Sequence, residues 1–130
     1  MIKMVVEVWK KTGLTDEAFG RRWLVEHGRL VRQHAKSMGF VRYVQSHKLP
    51  SPEIEAFARG RGWKSPPDGL TEVWWESREA MHAALGSPEG QVASAALAAD
   101  EIQFIESSKI SAFLAEEKTI FDFTDDGRAP

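Results

Sequence analysis

Four stretches of the chain carry β-branched and aromatic side chains in the alternating pattern that is typical of β-strands. They are residues 2–9, 40–48, 70–76 and 112–121. The first stretch places Met4, Val6 and Val8 on one face and Val5, Glu7 and Trp9 on the other. Because an acid and an indole share this second face, we expect it to line a cavity rather than a plain core.

The segments between these strands have the three- to four-residue apolar period of α-helices. Thr15 is a good N-cap for the first helix, whose apolar stripe runs to Met38 before Gly39 ends it. Ser77 caps a second helix, and Ser87-Pro88 begin a third, Ala-rich helix that is predicted over residues 89–99. Residues 100–110 are predicted to be irregular, with Phe104 and Ile105 as apolar anchors.

Residues 50–69 interrupt the pattern with four Pro and three Gly around a short apolar piece. This composition predicts a long loop with at most one helical turn, and loops of this length are often functional or mobile. We expect one domain over residues 1–122 that includes this loop, followed by a C-terminal tail over residues 123–130.

The order β-α-β, loop, β-α-β predicts the ferredoxin-like βαββαβ plan, an α+β fold in which two helices cover one face of a four-stranded antiparallel sheet. The other face is left open, and we expect a second copy of the chain to cover it. Sheet against sheet would give a dimeric α/β barrel with a pocket between sheet and loops. The residues expected on this open face are Glu7, Trp9, Tyr43, Gln45, His47 and Trp74.

Several pieces of the chain carry a family resemblance through their order and spacing. They are KKTGLTDEAFGRRWLVEHGRLV, GFVRYVQSH, DGLTEVWWESREAM, SPEG, ADEIQFIE and LAEEKTIFD. Together they resemble the EthD-domain family within the dimeric α/β-barrel superfamily, over residues 2–122 without much of the 50–66 segment. The resemblance implies a ferredoxin-like dimer and leaves the reaction open, since relatives are linked to ether degradation and to aromatic polyketide dehydration. It also implies functional histidines at His27, in the W…EH pattern, and at His47, in the Y-Q-H pattern.

Composition and charge narrow the classes of partner. The chain has 17 Lys and Arg against 19 Asp and Glu, a net charge of −2 that does not favour nucleic acid or anionic lipid. It has no Cys, which excludes disulfides, thiolate metal sites and a cysteine nucleophile. The N-terminal run MIKMVVEVWKK is too short and too charged for a signal peptide or membrane span, so we expect a cytoplasmic protein. We expect no metal and no cofactor.

His47 is the leading candidate for acid–base chemistry. It follows Tyr43 and Gln45 on one face of the second predicted strand, where three hydrogen-bonding side chains need a cavity or polar partners. A neutral imidazole can take or give a proton near pH 7. The alternative is a rim histidine that is bonded to the loop. His27 lies on an apolar helix stripe beside Trp23, either as a satisfied core histidine or as a second acid–base group.

Carboxylates and indoles complete the predicted site. Glu7 and Glu72 could face the cavity, where burial among indoles would raise the pKa of a carboxyl group, or they could lie on a solvated, ion-paired sheet face. Trp9 and Trp74 could form walls for a flat ring, with Trp63 in a lid, or they could belong to the core and the dimer interface.

The leading functional hypothesis is a cofactor-independent lyase, dehydratase, cyclase or isomerase. It would act by histidine-based proton transfer on a small hydrophobic, oxygenated compound of aromatic or polyketide-like type. In this scheme Tyr43 and Gln45 position or polarise a substrate oxygen. One alternative is a cofactor-free, quinone-forming monooxygenase that uses the same pocket. Another is a non-catalytic accessory protein that binds a hydrophobic metabolite.

Overall fold

The computed structural model describes residues 1–124 and contains one four-stranded antiparallel sheet. The order across the sheet is β2-β3-β1-β4, which is the ferredoxin-like arrangement and confirms the predicted fold class. The expected tail lies outside the described residues from position 125 on. The strands are β1 (Ile2–Val8), β2 (Arg42–His47), β3 (Gly69–Trp75) and β4 (Ser111–Ala115).

The first helical stretch begins and ends at the caps that the sequence predicts. The Thr15 side chain accepts a hydrogen bond from the Ala18 amide, and Gly39 ends the first helical stretch with a left-handed φ of 73°. Within that stretch, residues Arg22–His27 form a π-helical segment. The α-helices are α1 (Asp16–Arg21), α2 (Gly28–Met38), α3 (Pro52–Gly60), α4 (Arg78–Gly86) and α5 (Pro88–Glu101).

Helix α3 corrects the prediction of a long loop over residues 50–69. Ser51 caps it by accepting a hydrogen bond from the Ile54 amide at 3.2 Å, and Pro52 occupies the first turn. Proline has no backbone N–H, and it is tolerated there because an N–H in the first turn would have no partner within the helix. The Pro and Gly residues therefore mark the ends of the helix and do not prevent it.

Two further boundaries differ from prediction. Strand β4 ends at Ala115 instead of residue 121. Helix α5 continues to Glu101, so Asp100 and Glu101 are helical and not irregular. Phe104 and Ile105 are buried, as the anchors were expected to be.

The strand register decides which side chains share a face. Paired residues lie on the same face of a sheet, and Val73 pairs with both Met4 and Tyr43. Tyr43, Gln45 and His47 therefore lie on the face that carries Met4, Val6 and Val8, which we call the inner face because the helices cover it. The prediction that they share a face with Glu7 and Trp74 is wrong. The opposite, outer face carries Lys3, Val5, Glu7, Arg42, Val44, Leu70, Glu72, Trp74 and Phe113.

The hydrophobic core between sheet and helices is divided in two. One cluster of buried residues contains Val8, Phe19, Trp23, Phe104 and Ile105. The other contains Val31, Met38, Ala93 and Leu97. Residues of both clusters line a single cavity, which therefore lies between the two parts of the core.

Among the residues that the structure describes, no helix has the length and the apolar character needed to cross a membrane.

Candidate active site

A cavity of about 300 Å³ lies between the inner face of the sheet and helices α2 and α5. Most of its lining is aliphatic or aromatic, from strand residues such as Val6 and Val73 and helix residues such as Val31 and Leu97. Such a lining with few polar groups is typical of sites for small apolar molecules. The side chains that bring polar atoms to the cavity are His27, Tyr43, Thr71, Ser94 and Glu101.

The π-helical segment presents two large side chains to this cavity. Trp23 and His27 are four residues apart and are 1 % and 3 % exposed. A π-helical turn is rare and occurs frequently at functional sites. Here it places an indole and an imidazole next to each other on the buried side of the helix.

His27 is held in one orientation by Asp100. Its Nδ1 lies 2.8 Å from an Asp100 carboxylate oxygen, and Asp100 also accepts two hydrogen bonds from the Arg22 guanidinium, at 2.6 and 3.2 Å. The hydrogen bond from Arg22 is the main cause that lowers the pKa of Asp100, with a further contribution from His27. The carboxylate is therefore charged and accepts the proton on His27 Nδ1.

Burial lowers the pKa of His27, although Asp100 acts in the opposite direction. The imidazole is therefore neutral at pH 7, with its proton on Nδ1 and a free lone pair on Nε2. Such a nitrogen, oriented by a carboxylate, is a general base that is ready to accept a proton.

Glu101 is the second titratable group at the cavity. Burial raises its pKa to about 7, with the nearby charge of Asp100 acting in the same direction. Its carboxylate lies 3.7 Å from Nε2 of His27, and its side chain is 39 % exposed. Glu101 therefore stands beside the lone pair of His27, in contact with solvent, and is partly protonated at neutral pH.

A chain of hydrogen bonds links the cavity to the surface through strand β2. Gln45 Nε2 donates to the Trp23 carbonyl at 2.9 Å and to the Tyr43 hydroxyl at 3.3 Å. Gln45 Oε1 lies 2.7 Å from Nε2 of His47. Tyr43 thus lines the cavity, Gln45 lies behind it, and His47 is at the exposed end of the chain.

His47 and Trp63 lie in a second depression, which we call the outer groove. It has a volume of about 700 Å³ and lies among α1, the end of β2 and α3. His47 stacks on Trp23 with ring centroids 4.3 Å apart, and burial lowers its pKa. Trp63 is 58 % exposed and packs edge-on against Phe57 of α3. The structure therefore separates His47 and Trp63 from the cavity that contains His27 and Tyr43.

The remaining predicted residues have other partners. On the outer face, Glu72 forms an ion pair with Lys3, and Glu7 accepts a hydrogen bond from Ser111 at 3.0 Å. The Trp74 indole donates to Glu117 at 3.1 Å. Trp9 follows the last residue of β1, and the ammonium group of Lys109 lies 5.0 Å from the centre of its ring. None of Glu7, Trp9, Glu72 and Trp74 lines the cavity.

Sequence reasoning missed Asp100 and Glu101, although a signal for both was present. Ala93 and Leu97 belong to the buried stripe of α5, and the next positions of a helical period are 100 and 101. Continuing that stripe places two acids on the buried side of a helix. The sequence also contained a signal for Arg22 as part of the site. It lies next to Trp23 and one turn before Glu26, and its guanidinium pairs with the Glu26 carboxylate at 3.2 Å.

Metal-ligating side chains do not gather at this site. Within residues 1–124, no group of three or more His, Asp or Glu side chains has an arrangement that could hold a metal ion.

A comparison with protein-family models identifies residues 11–108 as an EthD domain. The match covers more than half of the 130 residues and includes both β2 and the helical segments that form the cavity. The chain belongs to the EthD domain family. No curated protein matches this EthD domain protein in sequence.

Solved structures share the fold of this EthD domain at low sequence identity. An EthD family protein from Bacillus halodurans is 17 % identical, with a TM-score of 0.58 over 91 % of this chain and 100 % of that one. A hypothetical protein from Arabidopsis thaliana is 13 % identical, with a TM-score of 0.58 over 92 % and 89 % of the two chains. A variant of SnoaB, a cofactor-independent oxygenase from Streptomyces nogalater, is 16 % identical, with a TM-score of 0.50 over 92 % and 95 %. These similarities establish the ferredoxin-like fold.

Proposed function

We propose that this EthD domain protein is a cofactor-independent enzyme that moves a proton on a small, apolar, oxygenated ring compound. The observation that carries the proposal is a neutral, buried imidazole, oriented by Asp100, whose free nitrogen stands beside a carboxyl group with a pKa of about 7. Both groups line a largely apolar cavity. General acids and bases work best when their pKa lies near the operating pH, and Glu101 meets that condition.

The reaction class that fits best is dehydration or isomerisation next to a carbonyl group. Nε2 of His27 removes a proton from the carbon beside the carbonyl, and Tyr43 stabilises the charge that develops on the oxygen. In a dehydration, the protonated form of Glu101 gives its proton to the departing hydroxyl group, which leaves as water while a carbon–carbon double bond forms. His27 then returns its proton to the Glu101 carboxylate, so both groups regain their starting states.

The assembly and location of the protein are part of the same proposal. Two copies assemble through the outer face, the enzyme works in the cytoplasm, and its partner is a small molecule and not nucleic acid or a membrane. The net charge of −2 and the exposed Phe113 on the outer face support this proposal.

Proton exchange on a model ketone tests the chemistry without knowledge of the natural substrate. The probe is 1-tetralone in D₂O, with loss of its protons beside the carbonyl followed by NMR. We expect the wild-type protein to accelerate exchange and His27→Gln to reduce the enzymatic rate about 100-fold, since it removes the general base. Asp100→Asn should also reduce the enzymatic rate. Glu26→Gln should have little effect, because Glu26 contacts Arg22 but not His27. His82→Gln, on the exposed side of α4, is the matched histidine control.

The alternatives give different results in the same experiment. If the wild-type protein exchanges no faster than buffer, the acid–base proposal fails, and binding of the ketone without exchange would indicate an accessory protein. If His47→Gln lowers the rate and His27→Gln does not, the chemistry belongs to the outer groove. Oxygen uptake with 1,8-dihydroxyanthrone would indicate the quinone-forming monooxygenase.

A further inference from the structure

We propose that Gln45 is a positioning residue that makes the Tyr43 hydroxyl a hydrogen-bond donor into the cavity, toward an oxygen atom of the bound molecule. Gln45 itself does not touch that molecule. The hydrogen-bond arrangement stands on the geometry alone. Only the identity of the acceptor, a carbonyl or related oxygen, rests on the proposed function.

The orientation of the Gln45 amide is set by a group that can only accept. The backbone carbonyl of Trp23 has no proton to give, so the atom 2.9 Å from it is the amide nitrogen of Gln45. The second proton on that nitrogen points to the Tyr43 hydroxyl at 3.3 Å. The amide oxygen then faces His47, whose Nε2 at 2.7 Å carries the proton that it accepts. Both amide protons and the amide oxygen are occupied by protein atoms.

This arrangement determines the direction of the Tyr43 hydroxyl. A phenol oxygen has one proton to donate and two lone pairs to accept with. One lone pair receives the Gln45 proton, so the hydroxyl proton of Tyr43 is directed away from Gln45. Tyr43 lines the cavity and Gln45 does not, so the proton is directed to the cavity side, where the Thr71 hydroxyl, which lies close to the phenol, lines the same cavity.

The π-helical segment contributes to this arrangement. The Trp23 carbonyl accepts from the Gly28 amide five residues later, and it also accepts from Gln45. Gln45 therefore ties the helical segment that carries His27 to the strand that carries Tyr43. One side chain connects the elements that hold the proposed base and the proposed oxygen-binding donor.

Tyr43 remains protonated at neutral pH, as a donor must. Burial raises the pKa of its phenol, while hydrogen bonding from Gln45, Thr71 and Trp23 opposes the rise and the charge of Glu101 adds to it. A neutral donor fixed in a largely apolar cavity stabilises negative charge on a substrate oxygen without reorganisation.

Tyr43 is the only tyrosine of the chain, so one label reports on it alone. The experiment replaces it with 3,5-difluorotyrosine, whose phenol titrates near neutral pH, and follows the titration by ¹⁹F NMR. Loss of the Gln45 donor removes a hydrogen bond to the phenolate. We expect Gln45→Leu to raise the titration midpoint by about one pH unit. Gln45→Glu should raise it further, because it adds a negative charge beside the phenolate.

The control and the contradicting results are equally specific. Gln33→Leu, on the exposed side of α2, should leave the midpoint unchanged. An unchanged midpoint in folded Gln45→Leu would overturn the inference. The wild-type protein gives a second test that needs no variant, since both side-chain amide protons of Gln45 should exchange slowly with D₂O. Rapid exchange of both would overturn the inference even if the variants failed to fold.

A binding measurement separates this inference from the proposed function. We expect Tyr43→Phe to weaken binding of 1-tetralone about tenfold, as loss of one hydrogen bond predicts. If 1-tetralone does not bind the wild-type protein, the proposed ligand class and the acceptor assigned to Tyr43 both fail. The fluorine titration would still decide whether Gln45 orients the hydroxyl.

Discussion

Glu101 is a single residue at which stability and the proposed chemistry oppose each other. Burial raises the pKa of its carboxyl group from 4.5 to about 7, so the folded protein holds this proton more tightly than the unfolded chain does. The stabilisation that this group contributes is complete below pH 4.5 and is lost as the pH rises through 7. The same shift makes the group a proton donor at neutral pH.

Glu101→Gln should therefore stabilise the protein at high pH and not at low pH. Glutamine keeps the shape and removes the charge, and we expect the free energy of unfolding at pH 8 to rise by about 1 kcal/mol, a value reduced for a side chain that keeps solvent contact. Urea unfolding at pH 4 and pH 8 measures the effect, with the exposed Glu76→Gln as control. An equal gain at both pH values would show that the carboxyl group does not titrate as described.

At the residue scale, the sequence predicts best what depends on local signals. The apolar stripe and the family resemblance both indicated His27, because both signals lie within one helix, and His27 lines the cavity. Its partner Asp100 is 73 residues away, and no periodicity in the first helix contains that contact. His47, Gln45 and Tyr43 were correctly placed on one face of β2. Which of them faces the cavity depends on the helices packed over the sheet, α2 and α5 at Tyr43 and α1 and α3 at His47, and the strand pattern does not contain that information.

At the scale of elements, the π-helical segment packs closely against the first residue of β3. A Cβ atom at Gly69 of β3 would lie 2.7 Å from the Trp23 ring and 2.5 Å from the Ser46 carbonyl oxygen. The glycine therefore leaves the space that the indole fills. Trp23 lines the cavity, and its ring stacks on that of His47 in the outer groove. The contact between Gly69 and the indole therefore affects the walls of both sites.

Gly69→Ala should destabilise the protein by about 2 kcal/mol, because a methyl group cannot fit without moving the indole or the strand. Urea denaturation measures the loss, and Trp fluorescence of the native state should change as Trp23 shifts. Gly86→Ala is the matched control, since a Cβ there meets nothing within 4 Å. Equal stability of Gly69→Ala and Gly86→Ala would contradict the tight contact.

The sequence predicted the existence and order of the elements better than their exact form. The caps at Thr15, Ser77 and Ser87 all hold, because each is a local hydrogen bond to a nearby amide. A helical period does not distinguish a π-helical segment from an α-helix, so Arg22–His27 was expected to be ordinary helix. Helix α3 was missed because Pro and Gly were counted over the whole segment, whereas their positions at its ends favour a helix.

At the scale of the whole molecule, strand register limits what alternation can predict. Alternation shows which residues share a face within one strand, but the faces of β1 and β2 are related only through β3, which lies between them. Without that register, the residues of β2 were assigned to the wrong side of the sheet. The helices cover the inner face, while the outer face combines ion pairs such as Lys3–Glu72 with an exposed Phe113 beside Val5.

The proposed dimer through the outer face makes a direct prediction about Phe113. Its side chain is 59 % exposed, and a second copy that covers the outer face would bury it. Phe113→Glu replaces that apolar contact with a charge that the dimer would bury, so we expect dimer affinity to fall at least about 100-fold. Sedimentation velocity should show twice the chain mass of 14.6 kDa for the wild-type protein and a single mass for the variant.

Val92→Glu provides the matched control for this experiment. Val92 is 69 % exposed on α5, on the opposite side of the sheet, so the same change of charge there should leave the dimer intact. If Val92→Glu dissociates the dimer and Phe113→Glu does not, the copies meet through the helices. A wild-type monomer at all concentrations would contradict the proposed dimer.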